Sequence, residues 1–319
     1  MRVLAWHVHG SWMTSFVRGT HEYLVPVVPD RGPDGHGRAR TYRWPPNAIE
    51  VAPEDLASER IDLVVVQRPR DIELCDAWLG GRRIGHDLPV VWVEHNAPQG
   101  RIDEMEHPAV HFDGDVRVVH VTGANALLWD TGTRPTSVVD HGIPDPGARY
   151  SGSVERAALV VNEPVRRRRV AGTDLLDAFA AVAGIDAFGM KTEQLGGCVP
   201  RLRAHGDVPH DELLDAVAQR RVYLHPYRWT SLGLALLEAM ALSMPVVVVA
   251  SLEAAVSIPG EAGAVSNHID ELVDALDRLL RDPAEARRRG QIARQLVLER
   301  YPLRRFLDDW DLIIEEMTK

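Results

Sequence analysis

The sequence predicts an α/β protein of two Rossmann-like domains, each a doubly wound parallel sheet facing a shared cleft, and three observations lead there. Short Val- and Ile-rich runs recur along the whole chain, separated by stretches of helical periodicity. Strands alternating with helices are the pattern of a doubly wound sheet. Several runs are apolar without alternation, Val246-Val247-Val248-Val249 being the clearest, as a strand covered by helices on both faces must be. The length, 319 residues, suits two domains of ordinary size.

The expected strands of the first half lie in Arg2–His9, Tyr23–Val28, Asp62–Gln67, Pro89–His95, Val116–Val121 and Thr136–Asp140. Those of the second half lie in Ala157–Val161, Ile185–Phe188, Leu202–Ala204, Val222–His225 and Pro245–Ala250. Between the halves, Asp145–Val154 collects Pro146, Gly147, Ser151, Gly152 and Ser153, the composition of a linker. Domains are therefore expected over 1–148 and 149–301, with 302–319 as a closing helix. The segment Arg31–Pro46, polar and rich in Gly and Pro, reads as a surface loop. From Ile269 onward the pattern is helical, with Leu272, Ala275, Leu276 and Leu279 on one face, then 284–300, then 302–317 after a proline break.

Composition excludes several classes. Apolar residues make up 45% and charged residues 26%, as in a soluble globular protein. No apolar run approaches the ~20 residues of a membrane span. His7 and His9 interrupt the N-terminal apolar stretch, so it reads as a first strand and not as a secretory signal. Two distant cysteines, Cys75 and Cys198, give neither a disulfide framework nor a Cys-rich zinc site, and a reducing cytoplasm is the expected location. A formal net charge of −10 argues against nucleic acid as a partner. Lys191 and Lys319 are the only lysines, so lysine-dependent chemistry is excluded almost everywhere. The arginine bias suggests a GC-rich bacterial genome.

The most informative stretch runs from His225 to Ala250. A strand ends near His225, and Thr230-Ser231 can cap the helix that follows. That helix, Leu234-Ala-Leu-Leu-Glu-Ala-Met-Ala-Leu, is apolar on every face and so is expected to be buried. It carries one carboxylate, Glu238, which needs hydrogen-bond donors from the protein or from ligand hydroxyls. Gly233 at the helix start leaves the backbone open to approach, and the free N–H groups there suit a phosphate. The residues alone leave both readings of Glu238 open: a ligand-binding carboxylate, or a core carboxylate satisfied by an arginine or a backbone N–H.

Leu237-Glu238-Ala239-Met240-Ala241 with Pro245-Val246-Val247 resembles the signature of retaining glycosyltransferases of the GT-B fold, specifically family 4. The resemblance implies that Glu238 binds the ribose hydroxyls of a nucleotide-diphosphate sugar. It implies also that the backbone from Ser231 through Leu232 and Gly233 to Leu234 holds the donor sugar and diphosphate. The family pattern has a second Glu eight positions earlier, where this chain has Thr230. Thr230 is then the residue facing the donor sugar, without the charge.

The resemblance extends along most of the chain, and it implies that the C-terminal helix, 302–319, crosses back to pack on the first domain. Val138-Val139-Asp140-His141-Gly142-Ile143 is similar to the turn that ends the family's first domain. His141 is a turn residue or a site residue on this reading. Arg166, Arg167 and Arg169, in the run after Val160-Val161-Asn162-Glu163, fall where the family clamps the diphosphate, and guanidinium forks suit phosphate oxygens. His95, at the end of a strand, matches a histidine that contacts the donor sugar near the reacting carbon. It is the expected catalytic histidine, the alternative being a strand-end histidine satisfied by backbone. His9-Gly10-Ser11 matches a glycine loop near the phosphates and acceptor, and Gly10 is a candidate there. It is not a Gly-x-Gly-x-x-Gly fingerprint, so dinucleotide binding is disfavoured. Gly206, in Ala204-His205-Gly206-Asp207-Val208, resembles a turn whose backbone reads the base, and Glu261-Ala262-Gly263 resembles the loop before the last strand. Trp6, Trp12 and Trp229 offer flat faces to a sugar or belong to the core.

Together these imply a retaining transferase of hexosyl or heptosyl type. Its donor is a UDP-, GDP- or ADP-sugar, and its acceptor a glycan, a lipid-linked compound or a natural-product small molecule. It calls for no metal and no covalently bound cofactor. The competing readings are a sugar-nucleotide epimerase on the same fold and a binding-only or weakly active relative that lost turnover with Thr230. A phosphorylase-type enzyme needs a lysine for its pyridoxal cofactor, for which Lys191 is the only internal choice.

Overall fold

The Val runs become strands because nothing else buries them on both faces. In the computed structural model, which describes residues 1–319, the chain divides into two compact units, 1–142 with 303–319 and 143–302. In the first unit the strands are β1 (Arg2–Ala5), β2 (Glu22–Pro26), β3 (Ala48–Val51), β4 (Leu63–Val66), β5 (Val90–Glu94), β6 (Arg117–His120) and β7 (Thr136–Val138). They pair in the order β3-β2-β1-β4-β5-β6-β7, every pair parallel. Helices α1 (Gly10–Phe16), α2 (Pro69–Trp78) and α3 (Gly123–Leu128) connect them.

The second unit holds β8 (Val154–Val160), β9 (Ile185–Phe188), β10 (Leu202–Gly206), β11 (Arg220–His225), β12 (Val246–Val249) and β13 (Gly263–Ser266). The order is β10-β9-β8-β11-β12-β13, again all parallel. Its helices are α4 (Arg168–Ala171), α5 (Leu176–Val182), α6 (His210–Gln219), α7 (Leu234–Ala241), α8 (Leu252–Ser257), α9 (Ile269–Arg281) and α10 (Pro283–Arg300). The strand period of two sorts side chains to opposite faces. Tyr223, Val246 and Val248 pack under α6, α7 and α10, while Val222, Leu224, Val247 and Val249 pack under α5 and α9.

The start of α10 is set locally and its seat by a tertiary contact. Asp282 caps α10, accepting from the N–H groups of Ala284 and Glu285 at 3.0 Å, and Pro283 opens the helix. Gly290 lets α10 lie against the α7–β12 turn, for a Cβ there would meet the Ser243 carbonyl at 1.9 Å. The last helix, α11 (Leu303–Met317), belongs to the first unit. Trp310 packs against Trp12 and Phe16 of α1 with ring centroids 5.6 and 5.0 Å apart, and Arg305 donates to the carbonyls of Asp140 and His141.

Apolar periodicity does not announce β3 or β13. Both are short edge strands with half-exposed residues, so neither carries an uninterrupted apolar run. Of the two readings of Trp6 and Trp12, the structure gives the core one, each being about 1% exposed. No helix is long and apolar enough to cross a membrane.

Candidate functional site

In an open parallel sheet, ligands bind beyond the carboxyl ends of the strands where the order reverses. In the second unit that point lies between β8 and β11. The loop after β8 carries Arg166 and Arg167 and leads into α4, which holds Arg169; the loop after β11 carries Thr230, Ser231, Leu232 and Gly233 and leads into α7. Adjacent strands therefore deliver the arginine run and the motif loop to one end of the sheet.

At that end, Gly233 occupies the N-cap of α7 and Leu234 is its first residue. The N-cap thus has no side chain to offer, which corrects the expected capping by Thr230-Ser231. The N–H groups of Leu236 and Leu237 already donate to the Gly233 carbonyl, which leaves those of Leu234 and Ala235 without an intrahelical acceptor, as at any helix start. Thr230 is half-buried, while Ser231 and Leu232 are buried. Gly233 is a glycine for space: a Cβ there would stand 2.5 Å from Cε1 of His225. The His225 ring is stacked on Tyr227 at 4.6 Å and is fully buried, which drives its pKa down to about 3.

One turn into α7, Glu238 is nearly buried and takes a hydrogen bond from Nε2 of His210 at 3.0 Å. His210 opens α6, just past the Gly206 turn, where φ is +72°. Burial works against protonation of His210, but the hydrogen bond and charge of Glu238, with Asp211 adding, hold its pKa above the usual histidine value. Gly206 ends β10, its N–H bonded to Thr192 and its carbonyl to the Gly189 N–H. Beside it the His205 ring stacks on Phe188 at 4.5 Å.

The arginines are engaged locally. Arg166 pairs with Glu163, Arg169 reaches Asp174 at 3.5 Å, and Arg167 lies over the Tyr227 ring at 5.7 Å. Lys191 also reaches Glu163, at 2.9 Å. Arg166 and then Lys191 hold the Glu163 carboxyl down at about 2. The structure thus brings a lysine to the arginine run from the loop after β9. Trp229 is half-buried.

In the first unit the order reverses between β1 and β4. Gly10 begins α1 just beyond β1; a Cβ there would sit 3.2 Å from the Tyr42 ring. Tyr42 itself hydrogen-bonds Ser11 at 2.7 Å. His95 follows β5 and gathers with His9, ring centroids 4.1 Å apart, and Trp12 at 4.9 Å. Burial, then the nearby His9 and His141, hold His95 well below the usual histidine value, so it is neutral. The loop carrying it is pinned by the preceding residue. Glu94 accepts from the Asn96 N–H at 2.6 Å and bonds Nε2 of His107 at 3.2 Å. Nδ1 of His107 accepts from Ala109, so Nε2 carries the proton and donates to Glu94.

His210 and the Glu94–His107 pair escaped the sequence reading, as did the contacts of Lys191 with Glu163 and of His9 with His95. Their partners lie 13 to 28 residues away or, for His9, on another strand, and no local spacing signals them. A separate cavity of about 460 Å³ opens between α9 and α10, lined by Arg278, Arg281, Glu285 and Arg289 among others, and none of the expected site residues lines it.

Residues 166–282 match the family model described as Glycosyl transferases group 1. This span contains the arginine run, the Gly206 turn, the motif loop and α7. No curated protein sequence matches the chain. Among solved structures it is similar to sucrose-phosphate synthase from Thermosynechococcus elongatus, at 14% identity and a TM-score of 0.73 over 99% of this chain and 98% of that one. It is also similar to HepE of Anabaena in complex with UDP-glucose, at 12% identity and a TM-score of 0.70 over 99% and 100%. A third is S. aureus TarM in complex with fondaparinux, alpha-GlcNAc-glycerol and UDP, at 13% identity and a TM-score of 0.61 over 79% of this chain. The chain spans 55% of TarM and nearly the whole of the other two. At these identities the likeness is one of fold: the GT-B type, with two parallel-sheet α/β domains.

Proposed function

We propose that this protein is a retaining glycosyltransferase that moves a sugar from a nucleotide-diphosphate sugar to an acceptor hydroxyl. One observation carries the reading. Glu238 is the single charged side chain of α7, and its hydrogen bond within the unit comes from His210. A carboxylate has room for about four hydrogen bonds, so acceptor sites remain for the vicinal hydroxyls of a ribose. The match over 166–282 supports the same assignment.

On this reading the second unit holds the donor. The start of α7, from Ser231 to Leu234, faces the diphosphate with its N–H groups and positive helix end. Arg166, Arg167 and Arg169 add charge to stabilise the departing diphosphate, an electrostatic mechanism. The Gly206 backbone reads the base. The first unit serves the acceptor, with Gly10 allowing close approach and His95 supplying a neutral imidazole to the sugar. A neutral ring is suited to hydrogen bonding without a charge to neutralise. Family 4 membership, a hexosyl or heptosyl donor on UDP, GDP or ADP, and a cytoplasmic location belong to the same proposal.

Calorimetry with UDP, GDP, ADP and TDP tests it. Selective binding of one nucleotide, weakened in Glu238→Ala, is the expected result; folded protein that binds none of them overturns the donor assignment. Thr230 favours a second reading, a binding-only relative, because it lacks the carboxylate that the family pattern has there. Turnover separates the two: donor hydrolysis or transfer supports the enzyme, and tight nucleotide binding with no turnover supports the binder.

A further inference from the structure

Nε2 of His210 lies 3.0 Å from Oε1 of Glu238, with the side chains 19% and 11% exposed. The contact joins the first residue of α6 to the middle of α7. Resting on the reading that α7 holds the donor's ribose, we infer that His210 is a positioning residue. It pins one oxygen of Glu238, presents the other to the vicinal hydroxyls, and in its protonated form cancels the carboxylate's charge beside an anionic nucleotide.

Two physical effects follow from that geometry. The terminal torsion of a glutamate is broad and two-fold, so an unpinned carboxylate must be ordered when the ligand arrives. A hydrogen bond already in place removes that cost from binding. The second effect is charge. The groups that set the His210 proton are Glu238 on α7, Asp211 on its own helix and Arg149 in the segment before β8, which reaches Asp215 at 3.1 Å. On β11, Arg220 is committed to Asp186 and to the Ala216 carbonyl, and Arg221 to Gly152, Leu280 and Glu155. With His210 protonated, the His–Glu pair is neutral. Once it loses the proton, the pair carries a net negative charge that opposes an anionic donor. Donor affinity therefore falls as pH rises through the His210 titration, which Glu238 places above the usual histidine value.

The test is calorimetric binding of UDP-glucose, GDP-mannose and ADP-glucose from about pH 6 to about pH 9, a window that spans a raised histidine. Nucleotide sugars are the probes because their esterified diphosphates do not titrate there, unlike the terminal phosphate of a free nucleotide. The wild-type protein is expected to lose about tenfold in affinity across the window, the loss that follows when donor binding raises the histidine's proton affinity about tenfold. His210→Gln keeps a donor but no titrating charge, and is expected to give a flat profile. His210→Leu is expected to bind about tenfold more weakly at low pH, with donor KM raised and kcat retained. Wild-type affinity in His210→Leu overturns the inference, as does a pH slope that survives in His210→Gln. Binding weakened in Glu238→Ala but unchanged in His210→Leu overturns the positioning role alone. Folded wild-type protein that binds none of the three probes overturns the donor assignment and this inference with it.

Discussion

Two histidines, one in each unit, reach carboxyl-end loops of their sheets and are pushed in opposite directions. Burial opposes protonation of His210, but the hydrogen bond and charge of Glu238, with Asp211 adding, together outweigh it. His95 sits among His9, Trp12 and His141, where burial and like neighbours both favour the uncharged ring. The same side chain is shifted toward its cationic form in one unit and toward a neutral hydrogen-bonding group in the other. His95 is the more deeply buried of the two, but the change of sign comes from the partner: His210 has a carboxylate beside it, and His95 has other histidines. It matches the chemistry proposed for each: an ionised site that orients ribose, and an uncharged one that meets sugar hydroxyls.

Substitution of either end tests this contrast most directly. Replacing His95 with Ala is expected to lower turnover by about 100-fold, the scale of one lost hydrogen-bonding group in a site. Nucleotide binding, assigned to the other unit, should hold. A steady-state assay beside a nucleotide titration checks this, and equal losses in both quantities contradict the division of labour. Glu238→Ala is the counterpart. A hydrogen bond to a charged group contributes about 1.5–3 kcal/mol, so donor affinity is expected to fall roughly 10- to 100-fold, measured by calorimetry.

Smaller effects are expected in stability. Gly233→Ala forces a Cβ against the His225 ring at 2.5 Å, and that ring is held against Tyr227. Overpacking of this kind costs about 1–3 kcal/mol, seen as a lower midpoint in denaturant unfolding. The buried histidines also set an acid limit. His120 is depressed to about 4 and His225 to about 3, in both cases first by burial. A group with a depressed folded pKa binds its proton more readily when unfolded. Stability is therefore present above the ordinary histidine value and lost as pH falls from about 6.5 toward 4, at most about 1.4 kcal/mol per pH unit for each group. Unfolding midpoints against pH should show that limb, and His225→Phe should make it shallower. His210 has the reverse sign: its contribution is present below about 6.5 and lost as pH rises through its raised pKa.

Much of the fold was legible because burial on both faces leaves a mark in one dimension. Not every strand carries that mark: Val246–Val249 and Leu63–Val66 announce central strands, while Ala48–Val51 at an edge announces nothing. Glu238 stood out for a related reason, a lone charge in an apolar helix. Its partner did not, because His210 comes from a helix 28 residues earlier. The expected cap from Thr230-Ser231 failed because the loop runs on to Gly233 before the helix begins.

Period and composition were enough to establish that the chain alternates strand and helix, that its central strands are doubly covered, and that one carboxylate lies in a buried helix before Pro245-Val246-Val247. Neighbours along the chain decide such properties. Tertiary structure alone decided the strand order, the pairing of Glu238 with His210, and the gathering of His9 with His95. Each depends on elements far apart in sequence meeting at the end of a sheet, and the charge a histidine carries is set only once its neighbours have arrived.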